Sequence, residues 1–377
     1  MARLQEEQAM MSHFTTDFDA ILAHIDSFDP ARYGKKRNFL DGGVSRLSPY
    51  ISRGVISTRL VLERLIDRGY KLYQMEKFVQ ELAWRDYWQQ VWLAKSDAIN
   101  IDLKRPQEPV ESHEVSRALL HAETGIQAID EGIETLYDSG YMHNHLRMYT
   151  AAIACNFGRC HWLQPARWMY YHLLDGDWAS NTLSWQWVAG SNANKKYIAN
   201  QANVNKYCGT GQSGTFIDGS YEALAVMDVP PELAQREKPN LDVRLPDFAA
   251  PNLDSNHPLL VYTSYNLDPK WKADVEANRV LLLEPSHFAG YPISPKVLSF
   301  ILELGSQIPG LQVFTGEFHE LKTAFSGSDI YYKEHPFSKH FEGIEESRDW
   351  MSGVTGYFPS FFGFWKKCHK ELKREFS

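Results

Sequence analysis

Asp175-Gly176-Asp177-Trp178-Ala179-Ser180-Asn181-Thr182-Leu183-Ser184-Trp185-Gln186-Trp187 sets two acids, an amide and three tryptophans at fixed spacing. Tryptophans at helical spacing usually fill a core and donate one hydrogen bond, so taken alone the stretch marks a buried helix. A second segment upstream changes its meaning. In Tyr141-Met142-His143-Asn144-His145-Leu146-Arg147-Met148, Asn144 and Arg147 stand three apart and share one helical face. A guanidinium, an amide and a carboxylate can then converge on one ligand. Further upstream, Gly42-Gly43-Val44-Ser45-Arg46-Leu47-Ser48-Pro49-Tyr50 offers small residues, hydroxyls and backbone N–H groups ahead of a helical stretch, the means by which proteins hold phosphate. Phosphates beside a redox-active ring imply a flavin dinucleotide.

These segments, in this order, resemble the FAD-binding helical domain of the DNA photolyase and cryptochrome family. The resemblance runs from about residue 33 to residue 218 and is carried by Ser45-Arg46-Leu47-Ser48, Glu81-Leu82-Ala83-Trp84-Arg85, Thr124-Gly125 and the segments 142–148 and 175–187. It implies FAD as cofactor, DNA containing pyrimidine dimers as partner, and splitting of cyclobutane pyrimidine dimers by an electron from light-excited reduced FAD. By match to the family, Tyr33 and Ser45, Arg46, Leu47 and Ser48 hold the phosphates, and Phe78, Arg85, Asn144 and Asp177 complete the cofactor set. Arg147 and Asp175 pair beside the flavin ring, and Asn181 faces the flavin N5 atom, where asparagine is typical of photolyases. Trp185 and Trp162 match the two inner members of the tryptophan chain that feeds electrons to the flavin. No tryptophan stands between 103 and 120, where the outer member belongs, which leaves Tyr170 or Tyr171 to substitute or the route to differ.

Glu81, Trp84, Met148 and Trp187 match the positions that contact the flipped dimer, through two stacking rings and a carboxylate that bonds a thymine carbonyl. Methionine at 148, where (6-4) photolyases place a histidine, points to cyclobutane dimers, and His145 reads as an ordinary helix histidine. Gln212 sits like a DNA-contacting glutamine, although Cys208-Gly209 replaces the Asn-Pro that opens that loop in the family. Lys195, Lys196 and Lys206 suit phosphate contacts on the rim. Two other readings use the same scaffold: a cryptochrome-like blue-light photoreceptor, and a non-catalytic FAD-containing nucleic-acid-binding scaffold.

The 377 residues, 44% of them hydrophobic, allow one large domain and one small one. Cys155, Cys160, Cys208 and Cys368 show no C-x-x-C spacing, so free thiols are expected rather than disulfides, a metal or a metal cluster. The first dozen residues carry acids and no long apolar run, which argues against a leader or membrane segment and for a cytoplasmic protein. A net charge of −8 argues against a protein that coats nucleic acid, while a local basic patch suffices to extract one nucleotide. Nothing in the sequence sets an oligomeric state.

Apolar residues at three-and-four spacing predict helices over 14–28, 55–72, 75–93, 124–139 and 143–157, and no strand before 255. Six of the eighteen prolines fall between 228 and 258, in a segment too poor in periodic apolar residues to build a core. Beyond it, the runs 259–262, 280–284 and 311–314 suit buried parallel strands, separated by helical periods over 295–308 and 317–325. The expected fold is therefore mainly α: an all-helical FAD-binding domain over 1–225, a Pro-rich linker over 226–257 and a small α/β domain over 258–377. The last domain reads as a permuted counterpart of the α/β domain that family members carry ahead of the FAD domain.

Overall fold

The computed structural model describes residues 14–327 and 329–376; the expectation about a leader falls outside them. The principal helices are α1 (Phe18–Ser27), α2 (Thr58–Asp67), α3 (Glu76–Lys95), α4 (Gln127–Ser139), α5 (Asn144–Ala152), α6 (Leu163–His172), α7 (Trp178–Ala189), α8 (Gln201–Cys208), α9 (Pro295–Ser306), α10 (Phe318–Ala324) and α11 (Phe361–Glu375). Local chemistry sets their ends. The carboxylate of Asp17 caps α1, Ser57 caps α2 and Asp177 caps α7, each accepting a first-turn N–H. Gly140, Gly190 and Gly209 close α4, α7 and α8 in the left-handed conformation that glycine adopts without a Cβ clash.

The chain separates into two compact units, neither continuous in sequence: one holds residues 31–44 and 95–241, the other 14–30, 45–94 and 242–376. These units are drawn otherwise than a sequential division at 225 and 258, because the 45–94 segment groups with the carboxyl-terminal part. In the first unit α4 to α8 close over a core in which Ile129, Tyr149, Ile153, Trp162, Met169 and Trp185 are almost wholly buried. One correction arises here. A two-residue antiparallel pair, β1 (Val115–Ser116) with β2 (Arg236–Glu237), forms where no strand is expected from the sequence, too short to leave a periodic signal.

The second unit contains a five-stranded sheet, β3 (Leu259–Tyr262), β4 (Asn278–Leu283), β5 (Leu311–Thr315), β6 (Ile330–Lys333) and β7 (Ile344–Glu346). Its order is β5-β4-β3-β6-β7 with every pair parallel, the doubly wound arrangement whose direction reverses between β3 and β6. Alternate residues supply the two faces: Leu259, Val261, Val280, Leu282 and Tyr332 pack with Phe318 and Leu321 of α10, while Leu260, Leu281 and Leu283 are buried on the other side. β6 and β7 lie outside the sequence expectation, since neither is a continuous apolar run.

Ligands of doubly wound sheets sit outside the carboxyl ends of the strands at the reversal point. In this chain rings cluster beside that point: Tyr265 stacks on His335 at 4.4 Å, and Phe337 and His287 close on them around a void of about 20 Å³, while Thr263, Tyr265, Lys333, Glu334 and His335 also line a cavity of about 380 Å³. Gly54, at φ +61°, brings its loop against this cluster so closely that a Cβ would stand 2.2 Å from the Tyr265 carbonyl oxygen. Burial holds the His287 imidazole down at about 3, and His335 is also pushed well below its usual value. A histidine depressed in the folded state contributes stability above about pH 6.5, its unfolded value, and that contribution is lost as the pH falls toward 3. Urea unfolding should therefore show that His287→Phe loses about 2 kcal/mol less than the wild type between pH 6.5 and pH 5. Parallel pH profiles would refute this.

Candidate functional site

The residues expected to hold the cofactor fall into two sets, one in each unit. In the first unit the central contact is the ion pair of Arg147 on α5 with Asp175, just before α7. Arg147 Nη2 donates to both carboxylate oxygens, at 3.0 and 2.9 Å, and Nε donates to the Met142 carbonyl at 2.8 Å. The Asp175 side chain is 5% exposed and that of Arg147 19%, and the guanidinium lies 5.5 Å from the Tyr141 ring centre. A charge removed from water this far is held in place only because its partner is fixed. His143 Nδ1 caps the start of α5 by accepting the His145 N–H at 3.1 Å, which sets the helix phase that aims Arg147.

Asp177 is 1% exposed and its carboxylate accepts the Ser180 N–H at 2.6 Å. In this chain its role is to start α7, and α7 then carries Asn181, Trp185 and Trp187 at four- and two-residue steps. Asn181 donates through Nδ2 to the Ala166 carbonyl at 2.9 Å, which leaves its amide oxygen as an acceptor. Beside it, the hydroxyls of Ser180 and Thr182 are buried without a hydrogen-bond partner among the described residues. Buried hydroxyls are normally satisfied, so a polar ligand fits this stretch.

Trp162 is fully buried and Trp185 is 2% exposed. The Trp162 indole donates to Asp102 Oδ1 at 2.6 Å, and His161 lies 5.4 Å from its ring. Trp178 donates to Asn100 at 2.7 Å. Neither Asp102 nor Asn100 stands in a recognisable motif, because their partners lie 60 and 78 positions away. Tyr33 is half-buried and Asn144 exposed; Met148 packs half-buried against the core, and Trp187 is 41% exposed with its ring 6.0 Å from Tyr197. Gln212 spends both ends of its amide on the chain, donating to the Gly125 carbonyl and accepting the Gln127 N–H.

The second unit holds the other set. Ser45 to Leu47 lead irregularly into a short helix at Ser48–Ser52, with Arg46 at φ +51°, a left-handed conformation that a non-glycine residue adopts at a cost. The Ser45 carbonyl meets His24 Nε2 at 2.6 Å, and the Ser45 hydroxyl accepts the Leu47 N–H at 3.4 Å. On α3, Phe78 is buried against Phe28, Glu81 is half-buried and Arg85 donates to Ser52 Oγ at 2.8 Å. Arg85 also lines a cavity of about 380 Å³ together with Thr58, Asp86, Gln89, Lys333 and Arg348. Asp86, which carries no signal in the sequence, accepts from Thr58 and from the Met351 N–H, and burial outweighs these bonds and the nearby arginines to push its carboxyl up to about 6.

Trp84 has an unexpected neighbour. Its ring stacks on Phe361, the first residue of α11, with centroids 3.7 Å apart and planes 8° from parallel. Nothing in the sequence links two residues so distant. Among the described residues, no three metal-binding side chains come together, and no helix is long and apolar enough to cross a membrane.

Residues 78–228 match the family model of the FAD binding domain of DNA photolyase. Over 150 residues, 39% of this chain and 31% of the relative, it is 33% identical to a deoxyribodipyrimidine photo-lyase of Alkalihalophilus pseudofirmus. Over 188 residues, 46% of this chain and 42% of the relative, it is 33% identical to the enzyme of that name from Thermus thermophilus. A solved class III photolyase from Agrobacterium tumefaciens aligns with 51% of this chain and 42% of its own at 26% identity, with a TM-score of 0.43. The chain thus spans less than half the length of these relatives.

Proposed function

We propose that the protein is an FAD-dependent photolyase that splits cyclobutane pyrimidine dimers in DNA. The observation that carries this reading is the Arg147–Asp175 ion pair, held beside a helix that presents Asn181 and two hydroxyls with no partner among the described residues, inside the segment matched to the photolyase FAD domain. Reduced FAD, when bound and excited by blue light, supplies the electron that opens the dimer. The chain's own contributions are distinct. Arg147, fixed by Asp175, presents positive charge where negative charge is to be stabilised. Asn181 offers a carbonyl acceptor and no acid, so it orients a neighbouring N–H without supplying a proton. Glu81 offers a carboxylate to a base edge, Trp187 an exposed ring for stacking, and buried Trp162 and Trp185 a path for electrons from within the protein. The sequential division at 225 and 258, a cytoplasmic location and the dimer as substrate belong to this same proposal.

Purified protein should carry FAD, seen in its absorption spectrum, and should split cyclobutane dimers back to separate pyrimidines under blue light. Protein that cannot be loaded with FAD defeats the proposal, and loaded protein that leaves dimers intact in single- and double-stranded DNA removes the repair half. One observation favours the second reading, a blue-light photoreceptor: Phe361 occupies a face of the Trp84 ring that a flipped base would use. A Phe361→Ala variant distinguishes the two. If Trp84 receives a dimer, freeing its face should tighten binding of dimer-containing DNA by about tenfold, or 1.4 kcal/mol, and Glu81→Ala should lower the number of dimers split per photon without changing FAD content. Unchanged dimer binding by Phe361→Ala and unchanged yield by Glu81→Ala would leave the photoreceptor reading.

A further inference from the structure

The helix α11 is one continuous amphipathic surface. Its inner face is made by Phe361, Phe364, Trp365, Cys368 and Leu372, all buried, with Phe361 on Trp84 and Phe364 on Tyr87, so that α11 lies along α3 in the same unit. Its outer face is basic. Lys366, Lys367, Lys370, Lys373 and Arg374 are exposed, and Lys366, Lys370 and Lys373 follow Phe362 at steps of four, four and three, which places the four side chains in one row. The two acids of the helix are turned elsewhere: Glu371 accepts the Gly353 N–H and Glu375 pairs with Arg59. In a chain of net charge −8, five cations against two engaged acids within fifteen residues is a local reversal of sign. Phe362, at the head of the row, is 70% exposed although it is a large apolar ring.

We infer that the outer face of α11 is a docking surface for the DNA backbone, with Lys366, Lys370 and Lys373 contacting successive phosphates and Phe362 lying against the sugars or bases at the end nearest Trp84. The inference deepens the proposed repair function and rests on it for the choice of DNA as partner. Charge complementarity supports it: Lys366, Lys370 and Lys373 rise about 6 and 4.5 Å from one to the next along the helix, and a DNA strand carries one phosphate charge per about 3.4 Å of its axis, so the long lysine side chains can reach separate phosphates. Position supports it as well. The row begins beside the ring expected to meet the lesion, so the backbone flanking a dimer would run along it.

The test is the salt dependence of DNA binding by the full, FAD-loaded chain carrying Lys366→Gln, Lys370→Gln and Lys373→Gln together. For double-stranded DNA each lost phosphate contact lowers the slope of log K against log salt by about 0.9, so the triple variant should lose about 2.7 from the wild-type slope. The loss should be equal for undamaged and dimer-containing DNA, with FAD content and thermal unfolding unchanged. An unchanged slope, or wild-type protein that binds no DNA at any salt concentration, overturns the inference. Vesicles containing phosphatidylserine serve as the comparison partner: a variant that loses vesicle binding while keeping its DNA slope shows the face to be a membrane surface and also overturns it. If the wild type repairs no dimers yet the triple variant loses the slope on undamaged DNA, the repair proposal fails and the docking surface stands.

Discussion

Arg147→Met should lose about 3 kcal/mol of stability and release its flavin. The substitution keeps the length of the side chain and deletes a charge whose partner, Asp175, is 5% exposed and receives two bonds from the same nitrogen. Breaking a buried ion pair from one side takes the guanidinium away from a buried carboxylate, which usually costs about 3–5 kcal/mol; the lower figure applies because Arg147 itself is 19% exposed. A second change separates folding from binding. In Arg147→Met with Asp175→Leu no buried charge is left unpaired, so urea unfolding should recover most of the loss, while the absorption spectrum should still show little bound FAD. A single variant that retains a full complement of FAD would remove Arg147 from the cofactor site. Recovery of FAD by the double variant would reduce the pair to a structural one.

Trp185→Phe should photoreduce oxidised FAD about 100-fold more slowly than the wild type, a difference of about 2.7 kcal/mol in barrier. Trp185 is 2% exposed and stands one helical turn beyond Asn181 on α7, and phenylalanine fills nearly the same space with a ring that yields an electron far less readily. Repair by chemically reduced protein should be almost unaffected, since the residue is assigned no contact with the lesion. The measurement is the rate of loss of the oxidised flavin band under blue light with an external reductant. A normal rate in Trp185→Phe would move the electron path elsewhere and take the assignment of Trp162 with it. The carboxylate 2.6 Å from the Trp162 indole gives this pair an environment that no spacing rule anticipates.

Both predictions depend on groups that are legible in the amino-acid sequence. Arg147 and Asp175 stand in two short motifs, whereas the use of Asp177 to cap α7, through the Ser180 N–H, came from the structure. The apolar runs at 259–262 and 311–314 read as buried parallel strands for an equally local reason, since a strand covered on both faces has no polar alternation; the structure places β3 there, buried throughout, while β5 is an edge strand and only partly buried. β6 is not legible because it is short and alternates, β7 because it is three residues with one apolar side chain, and β1 and β2 because two residues carry no period at all.

Sequence by itself determined what local chemistry dictates: the helical stretches with a clear apolar period, the apolar runs that form β3, β4 and β5, and the order of motifs found in residues 78–228, which match the photolyase FAD domain. Only the tertiary structure decided which distant residues share an environment. Phe361 on Trp84, Asp102 on Trp162 and Met351 on Asp86 join positions 277, 60 and 265 apart in the chain. The grouping of 45–94 with the carboxyl-terminal sheet and the clustering of Tyr265, His287, His335 and Phe337 beside its reversal point are decisions of the same kind. The physical reason is that turn, cap and period energies act within a few residues, whereas close packing selects partners by shape and buried area, without regard to their separation along the chain.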